Sequence, residues 1–459
     1  MKRLLRVCQF CVFLITGLLA VFGSSVNAEV DAENKLHTVE LGLPSPLKKE
    51  HVLFRIHGSN TVGATLSPAL VEGFLMGLGA TDVRSVKSSK KNEQAIVGKY
   101  QVGNQSTLLK VKMEAHGSST GFKALMSSSA DIAASSRLVK AKERTLMSNI
   151  DGGRGDLREV VIGIDGLAII VHPHNPVGEL SLSQLRKIFT GKITHWSDVG
   201  GVANKIKVYA RDSKSGTFDT FNSLVLRKSK LASGTKRFES NDRIAELVST
   251  DINGIGFVAL AATNDAKIMG ISDGKSASIE PSELSVATED YPLSRRLYFY
   301  RSPKPKHTAV VDAFLEYVES NEGQDHVKHA GFISQKLYGL PVGTGMNEAW
   351  WRLNLNVRFR KGSSNLDNKA EVDVRRLVEF LERTDHGFDT VRFIGYSNPL
   401  GVNKNSSALS RIRAQNVRWA LRSEGVRNSM KAIAGEGDAI ADPGSVRSEK
   451  NRRVEVWVQ

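Results

Sequence analysis

Apolar residues fall into two rhythms along this chain, and the rhythms alternate. Residues 53–57 form a short apolar run and predict a strand. Residues 65–78 follow at helical spacing, with Leu66, Leu70 and Phe74 on one side. The exchange then repeats: strands are predicted at 108–115, 160–172 and 206–210, and helices at 122–127, 182–189 and 216–225. The run Gly166-Leu167-Ala168-Ile169-Ile170-Val171 is apolar on both faces and predicts a buried strand. After Trp350 a second set begins, with strands at 353–359, 391–394 and 454–458 and helices at 370–381 and 407–421. Ala370, Val374, Leu377, Val378 and Leu381 share one helical face, and Gly425 stops the last helix. This alternation predicts an α/β fold in more than one unit.

The run Pro341-Val342-Gly343-Thr344-Gly345 predicts a linker between the two sets. We divide the chain into a signal segment at 1–28, a first α/β unit at 50–338, a linker at 339–352 and a second unit at 353–459. Residues 29–50 read as a polar leader. Residues 86–107, rich in lysine, serine and glutamine, read as an inserted loop or hairpin. His-Gly-Ser occurs at both 57–59 and 116–118 and marks two similar strand-to-helix corners.

Lys2, Arg3 and Arg6 precede an apolar stretch from Phe10 to Phe22, and Val26-Asn27-Ala28 fits a small-residue cleavage site. Both cysteines, Cys8 and Cys11, lie inside this segment, so a mature chain from Glu29 has no disulfide. No other long apolar run exists, and no transmembrane segment is expected after cleavage. The formal net charge of +15 falls to +12 without residues 1–28, which hold three bases and no acid. A basic surface suits anionic ligands or a polyanionic envelope. Nucleic acid is not expected as a partner: the bases are dispersed, and no helix-turn-helix, zinc-finger or aromatic RNA-binding signature occurs.

Three polar runs carry the candidate chemistry: Gly58-Ser59-Asn60-Thr61, Gly117-Ser118-Ser119-Thr120-Gly121, and Arg211 to Thr217. Each sits between a predicted strand and a predicted helix. There the first amides of the helix lack intrahelical partners, and the helix dipole favours negative charge. Serine and threonine hydroxyls add donors, glycine admits close backbone approach, and Arg211 adds a guanidinium. The combination suits a tetrahedral oxyanion. Gly117 to Gly121 also satisfies the G-x-S-x-G pattern of a hydrolase, with His57 and His116 as conceivable bases, but no acid and histidine follow in a hydrolase-like context. No H-E-x-x-H or paired-aspartate motif stands out, so no metal, cofactor or catalytic residue is expected.

Residues 50–335 resemble the periplasmic phosphate-binding component of ABC transporters. The likeness rests on Asp165 to Val171, on Gln184-Leu185 with Ile188 to Trp196, on Asp198 to Gly201, on Arg211 to Thr217, on Gly254 to Phe257, and on Glu322-Gly323-Gln324 with Gly331-Phe332. The resemblance implies a two-lobed type II periplasmic binding protein fold, closing on phosphate or a similar oxyanion, with an ABC permease as a conceivable partner. Matched motif by motif, it implies a phosphate site of Ser59, Asn60, Thr61, Ser118, Ser119, Arg211, Ser215, Gly216 and Thr217. Many relatives place an aspartate after the second corner, where it accepts a proton from the ligand and rejects sulfate. Here that position is Ser136, followed by Arg137.

Residues 353–459 resemble the OmpA-like peptidoglycan-binding domain, a small α/β domain. The likeness rests on Phe359, Ser363 to Leu366, Gly395-Tyr396-Ser397-Asn398, Leu409 to Ala414 with Val417, and Asn451 to Val456. The resemblance implies a pocket for the diaminopimelate of the wall peptide, in which an arginine pairs with a carboxylate and an aspartate with an ammonium. Arg413 stands at the arginine position; Asn398 stands where the family has aspartate. The whole then reads as a non-enzymatic periplasmic binding protein tethered to the cell wall or outer membrane. The alternative is an envelope scaffold or adhesion protein whose lobes no longer serve transport.

Overall fold

The computed structural model describes residues 40–148, 157–213, 215–227, 229–302, 305, 308–342, 350–360, 363–383, 387–397, 405–435, 440–442 and 448–459. The signal segment, the first half of the polar leader, the middle of the linker and Asn398 lie outside the described residues.

The first lobe is built on a sheet whose strands run in the order Thr81–Lys87, Glu93–Val102, Gln105–Glu114, Glu50–Gly58, Ile132–Ser135, Ser294–Arg301, Arg158–Val171. Glu50–Gly58 pairs parallel with both Gln105–Glu114 and Ile132–Ser135. Their carboxyl ends, where the polar corners begin, therefore lie along one edge of the sheet. The stretch 86–107 is a hairpin: Glu93–Val102 and Gln105–Glu114 pair antiparallel through ten successive residues. Phe54 packs 5.0 Å from Phe314 and 6.3 Å from Phe74, centroid to centroid, in the lobe's buried core.

The strand Arg158–Val171 belongs to both lobes. Residues 158–166 pair with Ser294–Arg301, and residues 167–171 pair with Gly254–Ala259, which continues into Lys207–Arg211 and Lys236–Phe238. Twelve of its fourteen residues are buried, as its apolar run requires. The second lobe closes over its own core, where the rings of Phe221 and Phe257 stack at 4.0 Å. Among the described residues two strands cross between the lobes, Arg158–Val171 and Ser294–Arg301, and they are antiparallel neighbours.

The C-terminal unit is a sheet in the order Gly339–Val342, Trp350–Arg358, Arg453–Val458, Thr390–Gly395, Ser429–Ala434, with helices Asn368–Glu382 and Asn405–Ser423 packed over a third core. Part of the interval expected as linker is strand: Gly339–Val342 pairs antiparallel with residues 350–353. Trp351 packs over Gly339 there, and the local Pro-Gly signal is outweighed by that pairing. Among the described residues no helix is long and apolar enough to cross a membrane.

This unit docks on the segment between Thr288 and Arg296, which leads into the returning crossover strand. Asp290 meets Arg352 at 3.2 Å, Arg358 at 3.3 Å and the Asn356 amide at 2.7 Å. Arg296 pairs with Glu289 and reaches Asp367, the N-cap of Asn368–Glu382, at 2.9 Å. A cleft of about 1450 Å³ opens elsewhere, between Tyr317 and the face of Asn368–Glu382 bearing Arg376 and Phe380, away from the polar corners.

Candidate anion-binding site

The first corner forms because Gly58 lets its strand end flush against a neighbour. A Cβ on Gly58 would lie 2.0 Å from the Ala134 carbonyl oxygen, and its φ of +144° lies outside the range L side chains favour. The helix expected from residue 65 begins at Asn60, winds through one π turn at Val62–Leu66 and continues as Ser67–Gly77. The earlier start brings the turn that carries Asn60 and Thr61 directly to the strand end. The second corner opens the helix Ser118–Met126, and the third opens Gly216–Phe221, which ends in a second π turn at Asn222–Leu226.

Three serines from separate segments converge. The Ser59 hydroxyl donates to Ser136 Oγ at 3.1 Å, Ser118 Oγ lies 3.5 Å from the same atom, and the Ser136 amide donates to Ser118 Oγ at 3.2 Å. Ser59 is buried, and it is tied to the neighbouring strand by its amide, which donates to Ala134 O at 2.9 Å. Asn60 sits in the same turn with a buried Oδ1 that has no hydrogen-bond partner among the described residues.

The two lobes touch at this place. Thr61 Oγ1 donates to the Gly216 carbonyl at 3.2 Å, and a Cβ built on Gly216 would meet Thr61 Cα at 2.5 Å. Ser215 caps its helix by accepting from the Phe218 amide. Thr217 accepts from Arg211 Nη1 at 3.3 Å, and the same nitrogen donates to Asn241 Oδ1 at 2.5 Å. Burial pushes the Arg211 guanidinium down from its ordinary range, while Asp212, Glu239 and Asp242 pull the other way. Its Nε is buried without a partner among the described residues, a cationic donor left open.

Ser119 is placed otherwise than expected. It accepts from Arg137 Nη2 at 3.1 Å, and Arg137 is clamped by both Glu143 oxygens at 2.8 and 2.9 Å and lies 4.9 Å from the Phe122 ring. Successive helical residues point about 100° apart. Ser118 and Ser119 therefore cannot both face the serine cluster. The two histidines also point elsewhere, His57 to Glu114 at 3.4 Å and His116 to Glu93 at 3.3 Å.

Arg295 is the residue that sequence reasoning missed. It lies on the returning crossover strand, in register with Asp165 on the other. Its Nε donates to Asp165 Oδ2 at 3.2 Å, and its Nη2 donates to Thr61 Oγ1 at 2.8 Å and to the Gly216 carbonyl at 3.3 Å. One buried guanidinium thus holds both lobes and the hinge. Asp165 also accepts from Thr220 at 2.6 Å. Burial raises the Asp219 carboxyl, against the pull of Arg295. The only mark of Arg295 in the sequence is an arginine pair just ahead of the apolar and aromatic run Leu297 to Tyr300.

In the C-terminal unit, Arg413 is 2% exposed, and its Nε and Nη1 have no hydrogen-bond partner among the described residues. Its guanidinium lies 5.5 Å from the Phe359 ring, and burial followed by the charge of Arg452 pushes it down from its ordinary range.

Comparison with known proteins follows the same division. Residues 85–322 match the PBP superfamily domain, and residues 358–455 match the OmpA family. The phosphate-binding protein PstS of Borreliella burgdorferi is 28% identical over 245 residues, covering 52% of this chain and 84% of that protein. The PstS of Bacillus subtilis is 29% identical over 218 residues, covering 47% and 68%. The crystal structure of a possible phosphate binding protein from Planctomyces limnophilus superposes with a TM-score of 0.50 at 23% identity, over 62% of this chain and 94% of that one.

Proposed function

This chain belongs to the PBP superfamily and carries an OmpA-family domain behind its binding lobes, and from that premise we propose that it binds inorganic phosphate between the lobes while the C-terminal domain holds it to peptidoglycan. The convergence of Ser59, Ser118 and Ser136 beside the Thr61–Gly216 contact carries the reading. Hydroxyls and helix-start amides supply short-range donors there. Arg211, with an unused buried N–H, and Arg295 supply charge. Ser215 and Thr217 belong to the same third corner; Ser119 acts through Arg137 as its support. The anion joins contacts from both lobes, so it favours the closed arrangement by differential binding.

Ser136 in the acceptor position has a chemical consequence. A hydroxyl can donate or accept, so it penalises fully ionised sulfate less than a carboxylate does. Phosphate is the expected ligand, with weaker exclusion of sulfate than an aspartate would give. Calorimetric titration of the purified protein with phosphate and with sulfate tests this. Phosphate heat with a thermal upshift supports the reading; no heat and no shift with either anion removes it.

Arg413 supports the second half of the proposal. A buried guanidinium with two unpartnered nitrogens suits a carboxylate. A wall-held protein of this kind serves as a local phosphate store or sensor as readily as a diffusing feeder for a permease.

A further inference from the structure

The C-terminal unit touches both lobes, on either side of the crossover strands. Its grip on the second lobe is polar and buried. Val286, Tyr291 and Leu293 belong to that lobe's core, and the segment they anchor carries the docking contacts. Arg358 Nη2 donates to the Thr288 carbonyl at 2.7 Å, the Asn356 side-chain amide donates to the same oxygen at 3.1 Å, and Lys450 Nζ donates to the Tyr291 carbonyl at 3.0 Å. Asp290, Asn356 and Arg358, which pair there, are 7%, 3% and 6% exposed. Farther out, Asp442 accepts from the Lys275 amide at 3.2 Å. Breaking a buried charge network of this kind is strongly unfavourable.

The grip on the first lobe is slighter. Arg376 Nη1 donates to Gln335 Oε1 at 3.1 Å, and Asn368 Nδ2 donates to Glu159 Oε1 at 3.4 Å. Gln335 is itself fixed to the first lobe. Its side-chain amide donates to the Val161 carbonyl at 2.6 Å, and its backbone amide donates to Gln324 Oε1 at 2.7 Å. Beside these contacts lies the cleft of about 1450 Å³, with Glu316 and Glu322 on its first-lobe wall and Arg375 and Arg376 on the other. The second-lobe side of the docking is sealed, while the first-lobe side borders open space.

We propose that the C-terminal unit travels with the second lobe and clasps the first only when the lobes are closed, so that its docking helps to retain a bound anion. The proposal rests on the reading that an anion is taken up between the lobes. Ser59 is 1% exposed, Thr61 5% and Ser215 6%, so an anion reaches them only when the lobes part. Parting turns one lobe against the other about the crossover strands, and a unit fixed to one lobe then loses its contacts with the other. The sealed side holds, and the Arg376–Gln335 and Asn368–Glu159 contacts open. Both are made here, where Thr61 meets Gly216 and the lobes are closed. The clasp therefore stabilises the closed state alone and slows release. Such coupling is reciprocal. Whatever lifts the unit from the first lobe, tension on its tether included, weakens anion binding by the factor with which the anion tightens the clasp.

The test is a distance measurement between paired spin labels, with and without phosphate, in a chain from Glu29, which has no cysteine of its own. Glu316→Cys with Glu379→Cys spans the cleft, and Lys123→Cys with Lys192→Cys spans the two lobes; all four positions are exposed. Phosphate should shorten and narrow both distance distributions together. Arg376→Ala with Asn368→Ala removes the clasp but no group of the anion site. That variant should keep its far-UV spectrum and bind phosphate about 2- to 10-fold more weakly, the loss lying in the off-rate. A cleft pair that stays fixed while the lobe pair moves overturns the clasp, as does wild-type affinity in the double variant. So does a lobe pair that stays still although phosphate binds. Stillness with no binding heat instead removes the underlying reading, and the clasp with it.

Discussion

Replacing Gly216 with alanine should separate lobe closure from folding. The added Cβ would meet Thr61 Cα at 2.5 Å, Thr61 Oγ1 at 2.9 Å and Thr61 Cβ at 3.0 Å. Thr61 cannot easily retreat, because Arg295 donates to its hydroxyl and the π turn at Val62–Leu66 follows at once. The clash exists only while the lobes touch. Position 216 is the first residue of the helix Gly216–Phe221 and has no left-handed φ, so alanine is not strained there and favours the helix by up to about 1 kcal/mol. Overpacking of this kind costs about 1–3 kcal/mol. All of that falls on the closed arrangement, which converts to phosphate binding roughly 5- to 150-fold weaker. Calorimetry gives the Kd, and a ligand-free thermal melt gives the stability. The reasoning fails if the variant binds phosphate within twofold of wild type, or if its ligand-free melt falls as far as its affinity.

Other perturbations test separate parts of the structure. Arg295→Ala leaves Asp165, 8% exposed, without its guanidinium, and breaking a buried pair in this way costs about 3–5 kcal/mol; denaturant unfolding of the ligand-free protein should record that loss, and a change under 1 kcal/mol would count against the hinge role. Burial pushes the Glu289 carboxyl up, but Arg296 beside it, together with Arg358 and Lys369, more than offsets this and holds it at about 2, against an ordinary value of 4.5. Because the folded value is depressed, the associated stability of about 3 kcal/mol is present above pH 4.5 and is lost as pH falls toward 2. Glu289→Gln should flatten the acid limb of the stability profile across that window, and an unaltered limb would refute the assignment. Arg413→Ala should release the protein from purified peptidoglycan in a pull-down; undiminished retention would remove the inherited pocket.

Much of the architecture is legible before folding is considered. The helix over 182–189 is observed as Leu182–Phe189, because its signals are local: apolar spacing, and a capping box in which Ser181 and Gln184 satisfy each other's amides. The strand at 160–172 is observed as Arg158–Val171 for a similar reason, since an unbroken apolar run has to be covered on both faces. The polar corners also announced themselves, because glycine beside small hydroxyl residues at a strand end is a local pattern. Even so, Ser118 and Ser119 look alike in the sequence. Only the helix phase decided that Ser118 joins Ser59 and Ser136 while Ser119 supports Arg137.

The sequence by itself thus determined many of the strands and helices of the two α/β units and the glycine–hydroxyl corners at which strand gives way to helix. Tertiary structure alone decided the partners that lie far apart in the chain. Arg295 becomes a latch because strand register sets it beside Asp165, 130 residues away, and within reach of Thr61 and Gly216 on opposite lobes. His57 meets Glu114, and His116 meets Glu93, because a hairpin pairs beside the first strand. Arg296 reaches Asp367 because the C-terminal unit docks on the returning crossover. Periodicity and caps act over a few residues and leave a trace in the order of amino acids. Register and docking follow from the summed packing of whole surfaces, and no short run of sequence records that sum.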